Sequence, residues 1–274
     1  MEPKSIPLNS LEGKTAIVTG SGNGIGRAIA KAMAEAGAKI VVSDILVQEG
    51  ERTVQEIMDR GGEAFFVSAD VSQEKDVKSM VDLAERTFGS IDILVNNAGV
   101  GGNFGRAHEM DVSDFDRVIG VNLRGTFLCS KFVLPHFLSK SDGCILNIAS
   151  TYGLVGAPQA PAYCASKGGI INLTRQLALD YGPDHIRVNA ICPGYVDTGL
   201  GRRRATLSED ELAAALARRE KAAGMQPLRR QAQPVEVATV AVFLCSDGAS
   251  FMTGSIVTVD GGCVTTFNYG EASN

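Results

Sequence analysis

Short, mostly apolar runs recur along the chain, separated by longer amphipathic stretches. The runs are Thr15–Thr19, Ile40–Ser43, Ala64–Ser68, Ile91–Val95, Cys144–Ile148, Ile186–Ile191 and Ser255–Val259. They are rich in β-branched residues and too uniformly apolar for half-exposed strands, so both faces of the strands are expected to be covered. The stretches between carry a helical period. Gly26–Ala36 puts Ile29, Ala30, Met33 and Ala34 on one face, and Gln73–Thr87 does so with Val77, Met80, Val81 and Ala84. Phe115–Leu138 and Ala162–Tyr181 are longer helical patterns. Strand and helix alternating in this way predict an α/β fold: a doubly wound parallel sheet of about seven strands with helices on both faces. No Pro/Ser-rich linker, low-complexity tract or shift of composition interrupts residues 1–274, so a single domain is expected.

One segment breaks the rhythm. Between Pro193 and Pro234 no strand is predicted. Arg202, Arg203 and Arg204 stand in a row there, followed by a helical pattern over Ser208–Ala223 in which Ser208 and Glu211 fit an S-x-x-E capping box. An extra excursion of this kind in a compact sheet protein is usually functional, and residues 195–230 read as a substrate lid. The three arginines could meet an anionic substrate, or they could be an ordinary solvated charge run.

Composition narrows the function. Of 274 residues, 45% are hydrophobic and 21% charged, which excludes a wholly disordered chain. The balance of 26 Lys+Arg against 31 Asp+Glu argues against nucleic acid as a partner, because phosphate neutralisation needs a basic surface. No stretch reaches the roughly 20 apolar residues of a membrane span, and Met1–Ser10 has no apolar core of a signal peptide. The six cysteines stand singly at 129, 144, 164, 192, 245 and 263, without C-x-x-C spacing, and the three histidines show no i, i+4 pair. Free thiols, no metal site and a cytoplasmic location are therefore expected.

The 31 glycines are not evenly spread. The first strand runs into Thr19-Gly20-Ser21-Gly22-Asn23-Gly24-Ile25-Gly26, and a helical pattern starts at once. Glycine lets the backbone turn sharply and approach a diphosphate, while the helix N-terminus offers unpaired N–H groups and a positive dipole end. The flanking strand and helix supply the context that a Gly-rich stretch alone lacks. The second strand ends at Asp44, 24 residues after Gly20, where a dinucleotide fold places the acid that holds the adenosine ribose. A carboxylate there repels a 2′-phosphate, and the turn carries no Arg or Lys before Arg27. The expected cofactor is NAD in preference to NADP. Gly13-Lys14-Thr15 is not a phosphate loop, since it precedes a strand and position 8 is Leu.

Tyr163 and Lys167 stand at i, i+4 on one helix face. The strand Cys144–Ile148 ends into Ala149-Ser150 just before that helix. Ligands in open α/β sheets lie beyond the carboxyl ends of the strands, so Ser150, Tyr163, Lys167 and the glycine turn are expected to converge there.

With these pieces in place the chain resembles the short-chain dehydrogenase/reductase family. The matching motifs are the Thr19–Gly26 turn, Asp70-Val71, Asn96-Asn97-Ala98-Gly99, Asn122, Ser150, Tyr163-x-x-x-Lys167, and Pro193-Gly194 with Thr198, in the family's order and spacing over roughly residues 10–262. The resemblance implies a Rossmann-type domain and direct hydride transfer between a nicotinamide and a secondary alcohol or ketone. Tyr163 would be the general acid/base. Ser150 would polarise the substrate oxygen, and Lys167 would grip the nicotinamide ribose and lower the Tyr163 pKa together with the cationic ring. Asn122 would hold a relay water. Gly20, Asn23, Gly24, Ile25, Gly26, Asp44 and Ile45 would carry the dinucleotide. So would Asp70 and Val71 at the adenine, Asn97, Ala98 and Gly99 at its ribose, and Pro193, Gly194, Val196 and Thr198 at the carboxamide and diphosphate. Tyr152, Gln159 and Tyr195, with Ser150 and Tyr163, are the candidate substrate residues, alongside Phe104, Leu154 and His108. The resemblance also implies a homotetramer through the helices containing Asn122 and Tyr163, with Phe267 and Tyr269 of the tail reaching a neighbour. Two other readings stand beside the NAD-dependent alcohol dehydrogenase. One is an NADPH-dependent reductase of the 3-oxoacyl-carrier-protein type, against which Asp44 argues. The other is a catalytically silent NAD-binding regulator, against which the full set of Asn122, Ser150, Tyr163 and Lys167 argues.

Overall fold

The computed structural model describes residues 9–198, 208–224 and 226–265. The arginines at 202–204 and the aromatic residues at 267 and 269 lie outside them. Seven strands are present: β1 (Thr15–Thr19), β2 (Lys39–Asp44), β3 (Ala64–Ser68), β4 (Ile93–Asn96), β5 (Gly143–Ile148), β6 (Ile186–Pro193) and β7 (Ile256–Val259). They form one parallel sheet in the order β3-β2-β1-β4-β5-β6-β7. The helices are α1 (Gly24–Glu35), α2 (Val47–Met58), α3 (Glu74–Phe88), α4 (Val112–Ile119), α5 (Gly125–Lys140), α6 (Pro161–Tyr181), α7 (Glu209–Gly224) and α8 (Pro234–Cys245).

The register explains why the strands are mostly apolar on both sides. Ile17 pairs with Val41 on one side and Leu94 on the other; Leu94 pairs with Ile145, and Ile145 with Val188. This row of buried side chains meets Val77, Met80, Val133 and Phe137 from α3 and α5. Residues one position away, such as Val18, Ile40, Val95 and Leu146, face the opposite layer of Ile29, Met33, Val237 and Ala241 from α1 and α8. The inner strands β1, β2, β4, β5 and β6 therefore bury both of their faces, while the edge strands β3 and β7 stay partly exposed.

Two helices escape the hydrophobic pattern. In α2, Gly50 stands mid-helix and weakens the sequence signal; a Cβ there would lie 2.1 Å from the Phe66 ring, so packing on β3 requires the glycine. In α8 nearly every position is apolar, which erases the 3.6-residue stripe. Its start is nonetheless marked by Pro234 in the first turn and a capping box between Gln233 and Glu236. The pattern over Phe115–Leu138 proves to be α4 and α5 joined by a five-residue π-turn, Gly120–Arg124. The excursion after β6 contains α7, opened by the anticipated capping box: the Ser208 N–H donates to Glu211 Oε2 at 2.9 Å and the Glu211 N–H to Ser208 Oγ at 3.4 Å. No helix among the described residues is long and apolar enough to cross a membrane, and all six cysteines are free thiols.

Phe137 is fully buried beneath the sheet, and a Cβ on Gly143 would lie 2.3 Å from its Cγ. Phe137→Ala is expected to cost about 3–5 kcal/mol in denaturant unfolding. Gly143→Ala is expected to destabilise the wild type by forcing the ring aside, and to be better tolerated when Phe137 is already Ala. The double variant should therefore fall short of the additive loss by at least about 0.5 kcal/mol. Strict additivity would show that the two sites do not compete for the same volume.

Candidate active site

β1 and β4 lie side by side, and the chain winds outward from them in opposite directions, so the ligand crevice opens at their carboxyl ends. Hydrogen bonds clasp the two ends together. Thr19 Oγ1 accepts the N–H groups of Asn97 and Ala98, each at 3.1 Å, and donates to the Val95 carbonyl. The Asn97 amide donates to the carbonyls of Thr19 and Gly20, both at 2.9 Å. Gly20 has φ +64°, and a Cβ on it would lie 2.8 Å from Ala98 Cα; a Cβ on Gly26 would lie 2.2 Å from the Gly20 carbonyl oxygen. Both positions admit only glycine. The Asn97 side chain thus braces the turn, a different use of it from the ribose contact that the resemblance implies.

Helix α1 leaves this turn with its positive end open. Asn23 occupies the N-cap position without a side-chain cap hydrogen bond, and no acidic residue stands in the first turn. The first N–H groups and the dipole are therefore available to a diphosphate. Thr198 leans over Gly24, its Cγ2 3.3 Å from where a Cβ would sit. From the opposite side Thr53 of α2 donates to the Ser21 carbonyl at 3.1 Å. Thr53 is a supporting residue that sequence reasoning passes over because α2 itself is hidden.

Asp44 closes the other end of the turn. Its Oδ2 accepts the Gly22 N–H at 2.9 Å and its Oδ1 the Leu46 N–H at 3.0 Å. Ile45 beside it is exposed. Of the cations on α1 and α2, Arg27 and Lys31 both pair with Glu56, and Arg52 pairs with Glu49. The Asp70 carboxylate accepts from the N–H and hydroxyl of Ser72, while Val71 is buried against Gly125.

The second half of the crevice is built by β5, α6 and the π-turn. Lys167 is buried, and its Nζ donates to the Ile148 carbonyl at 2.7 Å while lying 5.7 Å from the centre of the Tyr163 ring. A Cβ on Gly99 would come within 3.6 Å of the same Nζ, which ties this half to the Asn97–Gly99 loop. Ser150 is buried at the end of β5, and its Oγ accepts the Tyr152 N–H at 3.1 Å. Every polar atom of the Asn122 side chain is bonded: Nδ2 donates to the Val100 carbonyl and to Ser166 Oγ, both at 3.0 Å, and Oδ1 accepts the Val100 N–H at 2.8 Å. Its backbone carbonyl lies in the π-turn and accepts from Thr126 Oγ1 at 2.7 Å. π-Turns inside α-helices gather at functional sites.

Of the candidate substrate residues, Tyr152 and Tyr195 meet, with 3.0 Å between their hydroxyls. Gln159 is exposed with φ +60°, and its carbonyl accepts the Gly105 N–H. His108 and Phe104 are exposed. Val196 is buried and forms an isolated β-bridge with Ala232, while Gly194 passes so near Asp260 that a Cβ would lie 2.8 Å from its Cα.

Burial dominates the electrostatics at Tyr163. Burial pushes its phenol above the ordinary value of 10, and the Ser150 side chain pulls it back only in part. Burial also lowers the neighbouring Lys167, to about 8, which leaves it largely cationic at neutral pH. Burial thus shifts both groups toward their neutral forms.

Residues 20–264 match a family model described as enoyl-(acyl carrier protein) reductase. The chain is 42% identical over 255 residues to 2-(S)-hydroxypropyl-CoM dehydrogenase 3 of Xanthobacter autotrophicus, covering 93% of this chain and 98% of the relative. It is 38% identical over 255 residues to meso-2,3-butanediol dehydrogenase of Serratia marcescens, covering 93% and 96%. Among solved structures it superposes on 7α-hydroxysteroid dehydrogenase, complexed with NADH and 7-oxo-glycochenodeoxycholic acid, with a TM-score of 0.84 and 37% identity, covering 93% of this chain and 95% of that one.

The buried ammonium has a measurable consequence. The folded pKa of Lys167, about 8, lies below its ordinary 10.5. Between these values the unfolded chain binds more protons, so this residue's contribution to stability rises with pH through the window. Lys167→Met removes the contribution. The stability of the wild type relative to the variant is expected to improve by about 3 kcal/mol between about pH 7 and about pH 10.5. Denaturation curves for both proteins at each pH give this difference; one independent of pH would mean that the ammonium is not desolvated by folding.

Proposed function

The chain belongs to the short-chain dehydrogenase/reductase family, an oxidoreductase family, and from that premise we propose that it interconverts a secondary alcohol and a ketone with NAD as cofactor. The observation that carries this reading is the cluster of Ser150, Tyr163 and Lys167 at the carboxyl end of β5, joined through Gly99 to the clasped glycine turn. The named relatives act on 2-(S)-hydroxypropyl-CoM and meso-2,3-butanediol, both secondary alcohols, which points the same way.

The open N-terminus of α1, the glycines at 20, 24 and 26, and the Asp44 carboxylate fit a dinucleotide. They would hold its diphosphate and adenosine ribose, with Thr198 over the turn. When bound, the oxidised nicotinamide supplies the acceptor for a hydride from the substrate carbon, together with a positive charge near Tyr163. The chain's own residues handle the proton. Ser150 donates a hydrogen bond to the substrate oxygen. Tyr163 takes the hydroxyl proton in oxidation and returns it in reduction, and its raised pKa suits the donor role in reduction. Lys167, fixed by the Ile148 carbonyl, carries the nearest protein cation. Asn122, whose Oδ1 accepts one hydrogen bond and keeps a second lone pair, would hold the relay water.

NAD is favoured because Asp44 is fixed by two backbone N–H groups, and the neighbouring cations are neutralised by Glu56 and Glu49. Residues 195–230 would form the substrate lid. Within this span α7 buries only Ala223 and is tied to the body by Arg219 donating to the Val196 carbonyl. Exposed Phe127 on α5 and Leu179 on α6 suit a homotetramer built through these helices.

Absorbance of reduced nicotinamide, followed with a panel of secondary alcohols, tests the reading. With the best alcohol, kcat/KM is expected to favour NAD over NADP by about 100-fold, and Asp44→Ala to erase most of that preference. Equal values for the two cofactors would overturn the assignment of Asp44. Tyr163→Phe is expected to lower kcat about 10²–10⁴-fold while NAD still binds, as followed by calorimetry. Turnover near the wild-type rate in that variant would remove Tyr163 from the chemistry.

A further inference from the structure

The wall of the crevice beside Tyr163 carries two phenols whose purpose the transfer of one proton and one hydride does not explain. Tyr152 lies in the 3-10 turn Thr151–Gly153, directly after Ser150, and its N–H is bonded to Ser150 Oγ. Its ring stands edge-on to that of Tyr163, with centroids 6.3 Å apart and planes at 90°. Tyr195 comes from a different wall, the segment after β6. Its carbonyl accepts the Ala232 N–H at 2.8 Å, and the adjacent Val196 bridges to Ala232. Two backbone anchors from two loops therefore bring the hydroxyls within 3.0 Å of each other next to the acid/base ring.

Two phenols bonded to one another use one of their two O–H donors. Among the described residues nothing takes up the second, although both side chains are partly buried. Burial and the bond to Tyr195 both raise the Tyr152 pKa, so Tyr152 keeps its hydroxyl proton throughout the neutral pH range. A wall built only to pack an alkyl group would be served by phenylalanine at both positions. A polar pair fixed beside the reacting oxygen suits a ligand that brings a second oxygen to the same place.

We propose that the Tyr152–Tyr195 hydroxyl pair recognises a second oxygen on the substrate, so that the preferred class is small diols and hydroxyketones in place of simple alcohols and ketones. The inference rests on the alcohol-dehydrogenase reading and adds to it the substrate class and the residues that select it. Ser150 and Tyr163 hold the reacting oxygen, while the tyrosine pair takes the neighbouring one as donor or acceptor. Because a phenol pair can do either, it accepts the second oxygen as hydroxyl or carbonyl.

The test compares 2,3-butanediol with 2-butanol, which share a carbon skeleton and differ by one hydroxyl. In the wild type kcat/KM is expected to favour the diol by at least about tenfold, since a site built to bond a hydroxyl rejects the analogue lacking it. In Tyr152→Phe, Tyr195→Phe and the double variant this ratio is expected to fall, reaching about one in the double variant, with most of the change in KM for the diol. A merely structural strut would lower both substrates together and leave the ratio standing, which would overturn the proposal. Wild-type turnover of 2-butanol equal to that of the diol would also overturn it while leaving the dehydrogenase reading intact. Silence with both compounds and every other alcohol, under NAD and NADP alike, would remove the dehydrogenase reading and this inference with it.

Discussion

The crevice depends on the clasp between the ends of β1 and β4. Any open parallel sheet has a switch point, but it becomes a site only if the two diverging loops are held at one separation. Here the Thr19 hydroxyl and the Asn97 amide do this with five hydrogen bonds, in a space that Gly20 and Gly26 keep free of side chains. The geometry tolerates little variation, because the contacts that a Cβ would violate are to backbone atoms, which cannot step aside. The elements on either side inherit this frame. Toward α1 the clasp sets the height of the N-terminal N–H groups. Toward Gly99 it sets the distance to Lys167.

The second half of the site is a problem in electrostatics that packing creates. Burying Lys167 beneath Tyr163 gives the phenol a cation nearby, but the same burial drives the cation toward neutrality and raises the phenol. Burial therefore moves both groups toward their neutral forms. In the proposed mechanism a positively charged cofactor would shift the balance, so that the acidity of Tyr163 would depend on occupancy of the dinucleotide cleft.

Much of this was legible in the sequence, for identifiable reasons. The strands declared themselves because a sheet covered on both faces needs unbroken apolar runs, and Ile17, Val41, Leu94, Ile145 and Val188 answer to that need. The glycine turn, Asp44, Ser150, Tyr163 and Lys167 are set by local order: strand end, turn, helix start. What escaped was tertiary. Helix α2 is masked by Gly50, whose reason is Phe66 on the neighbouring strand, and α8 by apolar residues on every side. The engagement of Asn122 with Val100 and Ser166 depends on a π-turn, which no periodicity announces. The raised phenol of Tyr163 depends on how deeply α6 is set against β5, and residue order alone does not carry depth.

The two halves also divide fold from specificity. Residues that bear on chemistry are bound to backbone atoms of the sheet or its immediate ends: Lys167 to Ile148, Asn97 to Thr19 and Gly20, Asp44 to Gly22 and Leu46. Moving any of them means moving the sheet. Tyr152 and Tyr195 are bound to each other through side chains that rise from two loops, and neither hydroxyl touches the sheet. A change there leaves the frame where it is. In the proposed mechanism, selection for a new alcohol would therefore act on these loops with little effect on the proton machinery below them. The rigid elements would fix how a hydrogen and a proton move, and the loops above β5 and β6 would decide whose they are.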